Sequence, residues 1–160
     1  MEKVISIGKQ NFASLRENHY FFVDKSHFIK DWWENGDEIT LITRPRRFGK
    51  TLNMSMLDCF FSNKYAVRGD LFEGLGVWKE EKYRELQGKY PVIFLSFAAV
   101  KADQLSEAKI QIKQQIARVY EENRYLLDGD LLSGNEKKAY NEVNLHMGDA
   151  EAAAALNNMS

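Results

Sequence analysis

One stretch in the first third of the chain constrains the fold more than any other part of the sequence. An apolar, β-branched run at 38–43 precedes a short basic loop that ends in Gly49, Lys50 and Thr51, and apolar residues then recur at helical spacing over 52–61. A buried strand, a tight loop and a helix, in this order, are the context that makes a phosphate-binding P-loop credible. The stretch therefore predicts an α/β core organised around a phosphate site.

The residue types of this loop suit phosphate chemistry. Gly49 lets the backbone come close to a phosphate, and a helix that begins near Lys50 points its N–H groups and positive dipole end at the anion. Lys50 would reach the β- and γ-phosphates of a nucleotide, and the Thr51 hydroxyl would ligate Mg²⁺. The candidate binding residues are those of the loop and the first helical turn: Arg44, Pro45, Arg46, Arg47, Phe48, Gly49, Lys50, Thr51 and Leu52.

The loop departs from the general P-loop pattern at one position. The pattern G-x-x-x-x-G-K-[ST] begins with glycine, whereas this sequence has Arg44 there, and Pro45 with its fixed φ supplies another way to set the path of the loop. The alternative interpretation is a basic surface loop that joins a strand to a helix and binds no ligand.

Three segments, at 22–26, 44–52 and 90–97, resemble the AAA-ATPase-like domain family, a bacterial and archaeal P-loop family often joined to a C-terminal PD-(D/E)XK-type nuclease domain. Their sequences are Phe-Val-Asp-Lys-Ser, Arg-Pro-Arg-Arg-Phe-Gly-Lys-Thr-Leu and Tyr-Pro-Val-Ile-Phe-Leu-Ser-Phe. In that family Arg-Pro-Arg-Arg-Phe-Gly-Lys-[Ser/Thr] is the usual form of the P-loop, so Arg44 is expected there. The resemblance implies a P-loop NTPase fold that binds ATP with Mg²⁺.

A second apolar run, at 91–97, predicts another buried strand, with Pro91 at the first position, where a strand tolerates proline. Strand, helical crossover and strand follow the βαβ logic of an α/β fold. We expect both strands in one parallel sheet flanked by helices. The helix at about 50–62 should pack on this sheet through its apolar side, formed by Leu52, Met56 and Phe60.

The whole chain of 160 residues fits a single domain. Within it we distinguish an N-terminal segment at 1–36, a βαβ core at 37–100 and a helical segment at 101–160. The aromatic residues of the N-terminal segment either pack into the core or cover a nucleotide base. In the last segment, helical periodicity begins near Asp103 and resumes near 135–147, and an alanine-rich helix follows Gly148.

Charge and cysteine usage exclude several classes of protein. With 22 Lys and Arg against 23 Asp and Glu, the net charge of −1 gives no general attraction to nucleic acid or to an anionic membrane. The single cysteine, Cys59, lies among apolar residues, which indicates a buried free thiol and excludes a disulfide framework. No stretch approaches a membrane span, and we expect a cytoplasmic protein.

The acidic half of an ATPase site is not evident in the sequence. Such a site needs an apolar strand that ends in Asp or Glu, but the run at 91–97 continues into Ala98. Asp128, with Asp130 nearby, is a weak candidate because it follows a short apolar run in a helical context. The resemblance implies a strand ending in Asp-Glu-Tyr-Asp soon after a helix like the last one here, so we expect a domain truncated before its Walker B strand.

Three functional hypotheses stay open at this point. The chain is the phosphate-binding part of an ATPase or ATP-driven switch, or a nucleotide-binding or interaction module without turnover. The third is a nucleic-acid-binding domain that serves a linked nuclease, with Arg44, Arg46 and Arg47 on phosphates. The near-neutral charge argues against the third as the main role, because affinity for nucleic acid rests on several basic contacts.

Overall fold

The computed structural model describes residues 4–5, 8–43, 45 and 47–159, and these residues form helices joined by turns and extended segments. Contacts divide the chain into two compact units, residues 1–92 and 93–160. The α-helices of the described residues are α1 (Phe12–Glu17), α2 (His27–Asn35), α3 (Lys50–Phe61), α4 (Glu81–Arg84), α5 (Leu105–Glu122), α6 (Gly134–Glu142) and α7 (Asp149–Asn157). Shorter 3₁₀ turns lie at Asn63–Tyr65, Gly69–Phe72, Gly76–Lys79 and Arg124–Leu127.

The prediction of a parallel α/β sheet is wrong. Residues 38–43 and 91–97 have no regular secondary structure and form no ladder, and the one pairing among the described residues is an isolated parallel bridge between Ser62 and Tyr90. The side chains of Ile39 and Leu41 are 89% and 82% exposed. β-Branched residues favour strands because their side chains fit a half-buried pleated surface. Without a partner strand no such surface forms, so the strand propensity of this run has no effect.

The N-terminal unit instead builds its core from aromatic side chains on helices and turns. Phe12 of α1, Phe60 of α3 and Phe72 are all fully buried. The ring of Phe72 lies 5.1 Å from that of Phe12 and 5.0 Å from that of Phe60, measured between centroids. The ring of Phe22 lies edge-on to that of Phe12, with 5.5 Å between their centroids. Phe12, Phe22, Phe28 and Trp32 of the N-terminal segment therefore pack at the core, as one of the two interpretations predicted, but not against a sheet, and Phe21 is 50% exposed.

Helix α3 confirms the helix predicted at 50–62, with different packing partners. Met56 and Phe60 are fully buried and Leu52 is partly buried at the same core. Their neighbours are α1, α2 and the turns after α3, not strands. A hydrogen bond of 3.0 Å from the backbone N–H of Phe12 to Oγ of Ser55 fixes the start of α1 against α3. The apolar face of α3 thus serves a helical core.

The C-terminal unit is helical, as its periodicity predicts. Helix α5 buries Ile116 and Tyr120 against α7, where Ala152 and Ala155 have side chains small enough to let the helices approach. The Tyr120 hydroxyl donates a 2.9 Å hydrogen bond to the carbonyl of Ala155. Helix α6 begins at a capping box in which Ser133 and the third helical residue bond each other's backbone N–H groups.

No helix in the described part of the chain is both long and apolar enough to cross a membrane.

Candidate functional site

The basic loop before α3 has two residues in the left-handed region. Arg47 has φ of 69° and Gly49 has φ of 78° with ψ of 18°. Glycine adopts this region without steric cost, whereas for arginine it costs about 1–2 kcal/mol. Such strained residues cluster where a backbone is shaped for a ligand. The left-handed conformation of Gly49 turns the chain so that α3 begins at the next residue, Lys50.

The start of α3 offers a positive helix end to this loop. The carbonyl of Gly49 accepts the first helical bond from the N–H of Asn53, at 2.9 Å. Gly49 has no side chain with which to cap the helix, and the first turn contains no acidic residue. The N–H groups and the dipole of such a helix end favour an anion.

A pocket of about 570 Å³ opens at this helix end. It is lined from two parts of the chain, by Gly8, Lys9, Gln10, Arg47, Gly49, Lys50, Thr51 and Leu52. Every charged residue among these is a cation. The side chain of Lys9 is steered by Ser14, whose Oγ lies 3.4 Å from its ammonium, and by the ring of Tyr20 at 5.6 Å. The pocket therefore has the electrostatic character of an anion site.

The structure brings together five of the nine residues that the sequence nominated: Arg47, Gly49, Lys50, Thr51 and Leu52. Neither Pro45 nor Phe48 lines the pocket; Pro45 is exposed, and the Phe48 side chain is 61% exposed. The predictions for Arg44 and Arg46 fall outside the described residues. Placing ATP and Mg²⁺ on these residues stays a prediction.

Sequence reasoning missed the contribution of Gly8, Lys9 and Gln10. They lie about forty residues before the loop, and no local pattern links them to it. The only local signal is a glycine followed directly by a basic residue; in the structure Gly8 has φ of 81°, a conformation that glycine adopts readily. Only the folded structure shows that basic residues distant in the sequence line the same pocket.

The other residues considered for chemistry do not join this pocket. Cys59 is buried in the core, which confirms the predicted free thiol, and burial raises its pKa to about 11 despite hydrogen bonding to Tyr65. Asp128 is exposed at the end of the turn at Arg124–Leu127, within the C-terminal unit. Among the described residues, no three His, Cys, Asp or Glu side chains come together to hold a metal ion.

Comparison with known proteins gives one family and one curated relative. Residues 6–152 match the model of a family described as Predicted AAA-ATPase. Over 96 residues the chain is 36% identical to a protein of Azotobacter chroococcum mcd 1 described as an uncharacterized protein in the vnfD 5′ region. The aligned part covers 59% of this chain and 17% of that protein, so the chain spans a small fraction of its relative. No solved structure matches the chain significantly.

Proposed function

The chain belongs to the family of predicted AAA-ATPases, and on that premise we propose that it binds ATP with Mg²⁺ at the pocket before α3. One observation carries the proposal. Around a left-handed Gly49 and an uncapped helix start, the pocket gathers the cations Lys9, Arg47 and Lys50 without any carboxylate among its described lining residues. A polyphosphate is the common ligand that satisfies a helix end and several cations together.

The residues present fit a nucleotide and its metal. The backbone N–H groups of Phe48 to Thr51 would hold the phosphates, and Lys50 would add a charged contact to them. The Thr51 side chain, exposed at the pocket, carries the hydroxyl that would ligate Mg²⁺. When bound, Mg²⁺ would neutralise part of the phosphate charge. Gly8 to Gln10, on the other wall, would cover part of the nucleotide.

Binding is the part of the activity that these residues support. Turnover also needs a group that orients the attacking water, and no carboxylate lines the pocket in the described part of the chain. The proposal is therefore compatible with an ATPase and with a nucleotide-dependent switch or module without turnover. A nucleic-acid partner, reached through a linked nuclease, and a cytoplasmic location stay predictions from the sequence.

Calorimetric titration with MgATP tests the proposal. Lys50→Ala should weaken binding tenfold or more, because a hydrogen bond to a charged group contributes about 1.5–3 kcal/mol. Lys89→Ala is the matched control, since Lys89 is exposed in the same unit but lies beside the other end of α3. Gly88 and Tyr90 there donate to the carbonyls of Phe60 and Phe61, and a 12-residue helix is about 18 Å long.

The control should bind ATP as wild type does. Equal ATP affinity in the Lys50 and Lys89 variants would eliminate Lys50 as a ligand. Absence of ATP binding by the folded wild-type chain would overturn the proposal itself.

A further inference from the structure

The short motif at 24–26, Asp-Lys-Ser, belongs to one of the segments that resemble the AAA-ATPase-like family. It has no role in the site described so far. Its two outer residues are anchored to the turn at Gly76–Lys79. Asp24 Oδ2 accepts a 2.7 Å hydrogen bond from the N–H of Gly76, and Ser26 Oγ accepts one of 3.1 Å from the N–H of Val77. Ser26 is fully buried. The backbone on both sides of the central residue is therefore held in place.

The Asp24 carboxylate also secures the motif internally. Its Oδ1 accepts a 2.8 Å hydrogen bond from the N–H of Ser26. Partial burial opposes the charge of Asp24, but the hydrogen bonds from Ser26 and Gly76 prevail and lower its pKa. Since the carboxylate uses both oxygens on backbone N–H groups, its part is to fix the motif.

Lys25 lies between these two anchors, and its ammonium group lies near Gly49 of the loop. A β-carbon built on Gly49 would lie 3.8 Å from Nζ of Lys25. The side chain of Lys25 is exposed, and no carboxylate in the described ranges forms an ion pair with it. An anchored backbone thus places a cation at the point where the loop is shaped for close approach.

This arrangement accumulates positive charge around one spot. Arg47 lies on the loop and Lys50 is the first residue of α3, whereas Lys25 lies just before α2, more than twenty residues earlier. Like charges in proximity repel, and the positive end of α3 adds to the repulsion. An anion bound at the loop would attract each of these cations and the helix end, and these attractions would offset the repulsion.

We propose that Lys25 is a second lysine of the phosphate site, contacting the polyphosphate of the nucleotide together with Lys50. The inference rests on the proposed function and extends it: the Asp-Lys-Ser motif is a positioning device whose outer residues aim a phosphate-binding cation. Lys25 is a binding residue in this account, and Asp24 and Ser26 act through it.

The test compares variants of Lys25 in calorimetric titrations with MgATP and with inorganic tripolyphosphate. Lys25→Met keeps the aliphatic stem and removes the ammonium, and Lys25→Gln does so with a shorter polar side chain. We expect each to weaken both ligands about tenfold, because the lost contact is to phosphate and not to the base. Lys25→Arg should restore the affinity for both ligands to within about threefold of wild type, and Lys89→Met is the matched charge control.

A purely structural role predicts a different pattern. In that case Lys25→Met would lower the midpoint of thermal unfolding without ligand, and Lys25→Arg would not restore ATP affinity. The inference requires instead a midpoint that is not lowered, because loss of a repelled charge does not destabilise the ligand-free protein, together with the rescue by arginine.

The role of Lys25 and the proposed ATP binding can be disproved separately. If Lys50→Ala loses ATP affinity while Lys25→Met and Lys25→Gln bind like Lys89→Met, the inference is overturned and the proposed function stands. If the folded wild-type chain binds neither ATP nor tripolyphosphate, both are overturned.

Discussion

Gly88 lies so close to the backbone of Ala66 that a β-carbon on Gly88 would be 2.3 Å from the Cα of Ala66. Gly88 has φ of 70°, and its N–H donates a 2.8 Å hydrogen bond to the carbonyl of Phe60. This glycine therefore closes the turn after α4 onto the end of α3. Both its conformation and its surroundings exclude a side chain.

Gly88→Ala should destabilise the N-terminal unit by about 3 kcal/mol or more, since backbone must shift in addition to the cost of the left-handed conformation. Gly74→Ala is the control: Gly74 has φ of 79° but nothing within 4 Å of its β-carbon position, so about 1 kcal/mol is expected. Urea unfolding followed by tryptophan fluorescence measures both. The three tryptophans, Trp32, Trp33 and Trp78, all lie in this unit.

Equal losses of unfolding free energy in the two glycine variants would contradict this expectation. They would show that the backbone at Ala66 can shift away from the added β-carbon without further loss of stability.

The helices could be predicted from the sequence because their signals are local. The apolar spacing after Lys50 and the alanine run after Gly148 each specify a helix from a few turns of chain, and α3 and α7 confirm them. The sheet could not be predicted correctly, because strand pairing depends on partners elsewhere. The runs at 38–43 and 91–97 have strand composition, yet Trp32 holds Thr40 through a side-chain hydrogen bond of 3.1 Å where a ladder was expected.

The same distinction applies to the candidate site. Gly49, Lys50 and Thr51 are contiguous, and a pattern of adjacent residues identified them. Lys9 and Lys25 reach the same loop through folding alone. The sequence pattern thus indicates residues at the centre of this pocket but not those that surround it.

The 160-residue chain should hydrolyse ATP at a negligible rate. Phosphoryl transfer needs a positioned water as well as neutralised phosphate charge, and the described residues that line the pocket include no carboxylate. The measurement is phosphate release with MgATP, using Lys50→Ala as the background. Robust hydrolysis that Lys50→Ala abolishes would reveal an acidic residue from elsewhere in the chain, and Asp128 and Asp130 would be the first to replace.

Cys59 should resist alkylation in the folded protein. Its side chain is buried, and burial raises the pKa of the thiol to about 11, so little thiolate exists near neutral pH. Because the folded pKa lies above the ordinary value of 9.0, this term stabilises the fold below pH 9 and is lost as pH rises toward about 11. Iodoacetamide labelling followed by mass spectrometry should be slow in buffer and fast in urea. Similar rates in both would contradict the buried position.

Asp149 should titrate well below an ordinary aspartate. Hydrogen bonds from Lys109 and Lys113, at 2.6 and 2.8 Å, lower its pKa from 3.8 to about 2. The interaction therefore supports the C-terminal unit above pH 3.8 and is lost as pH falls toward 2. Carbon-13 NMR of the carboxyl group measures the pKa directly. Replacing both lysines by methionine should return it toward 3.8, and an unchanged value would exclude them as the cause.

The anchors of the N-terminal unit join residues far apart in the chain, and this has a consequence for its synthesis. Phe12 bonds Ser55 across 43 residues, Arg16 bonds the carbonyl of Leu71 across 55, and Ser26 bonds Val77 across 51. On the ribosome, α1 and α2 emerge long before these partners exist. We therefore expect the core of the unit to close only after the segment around Val77 has been synthesised, and the loop before α3 to reach its final conformation in that late, non-local step.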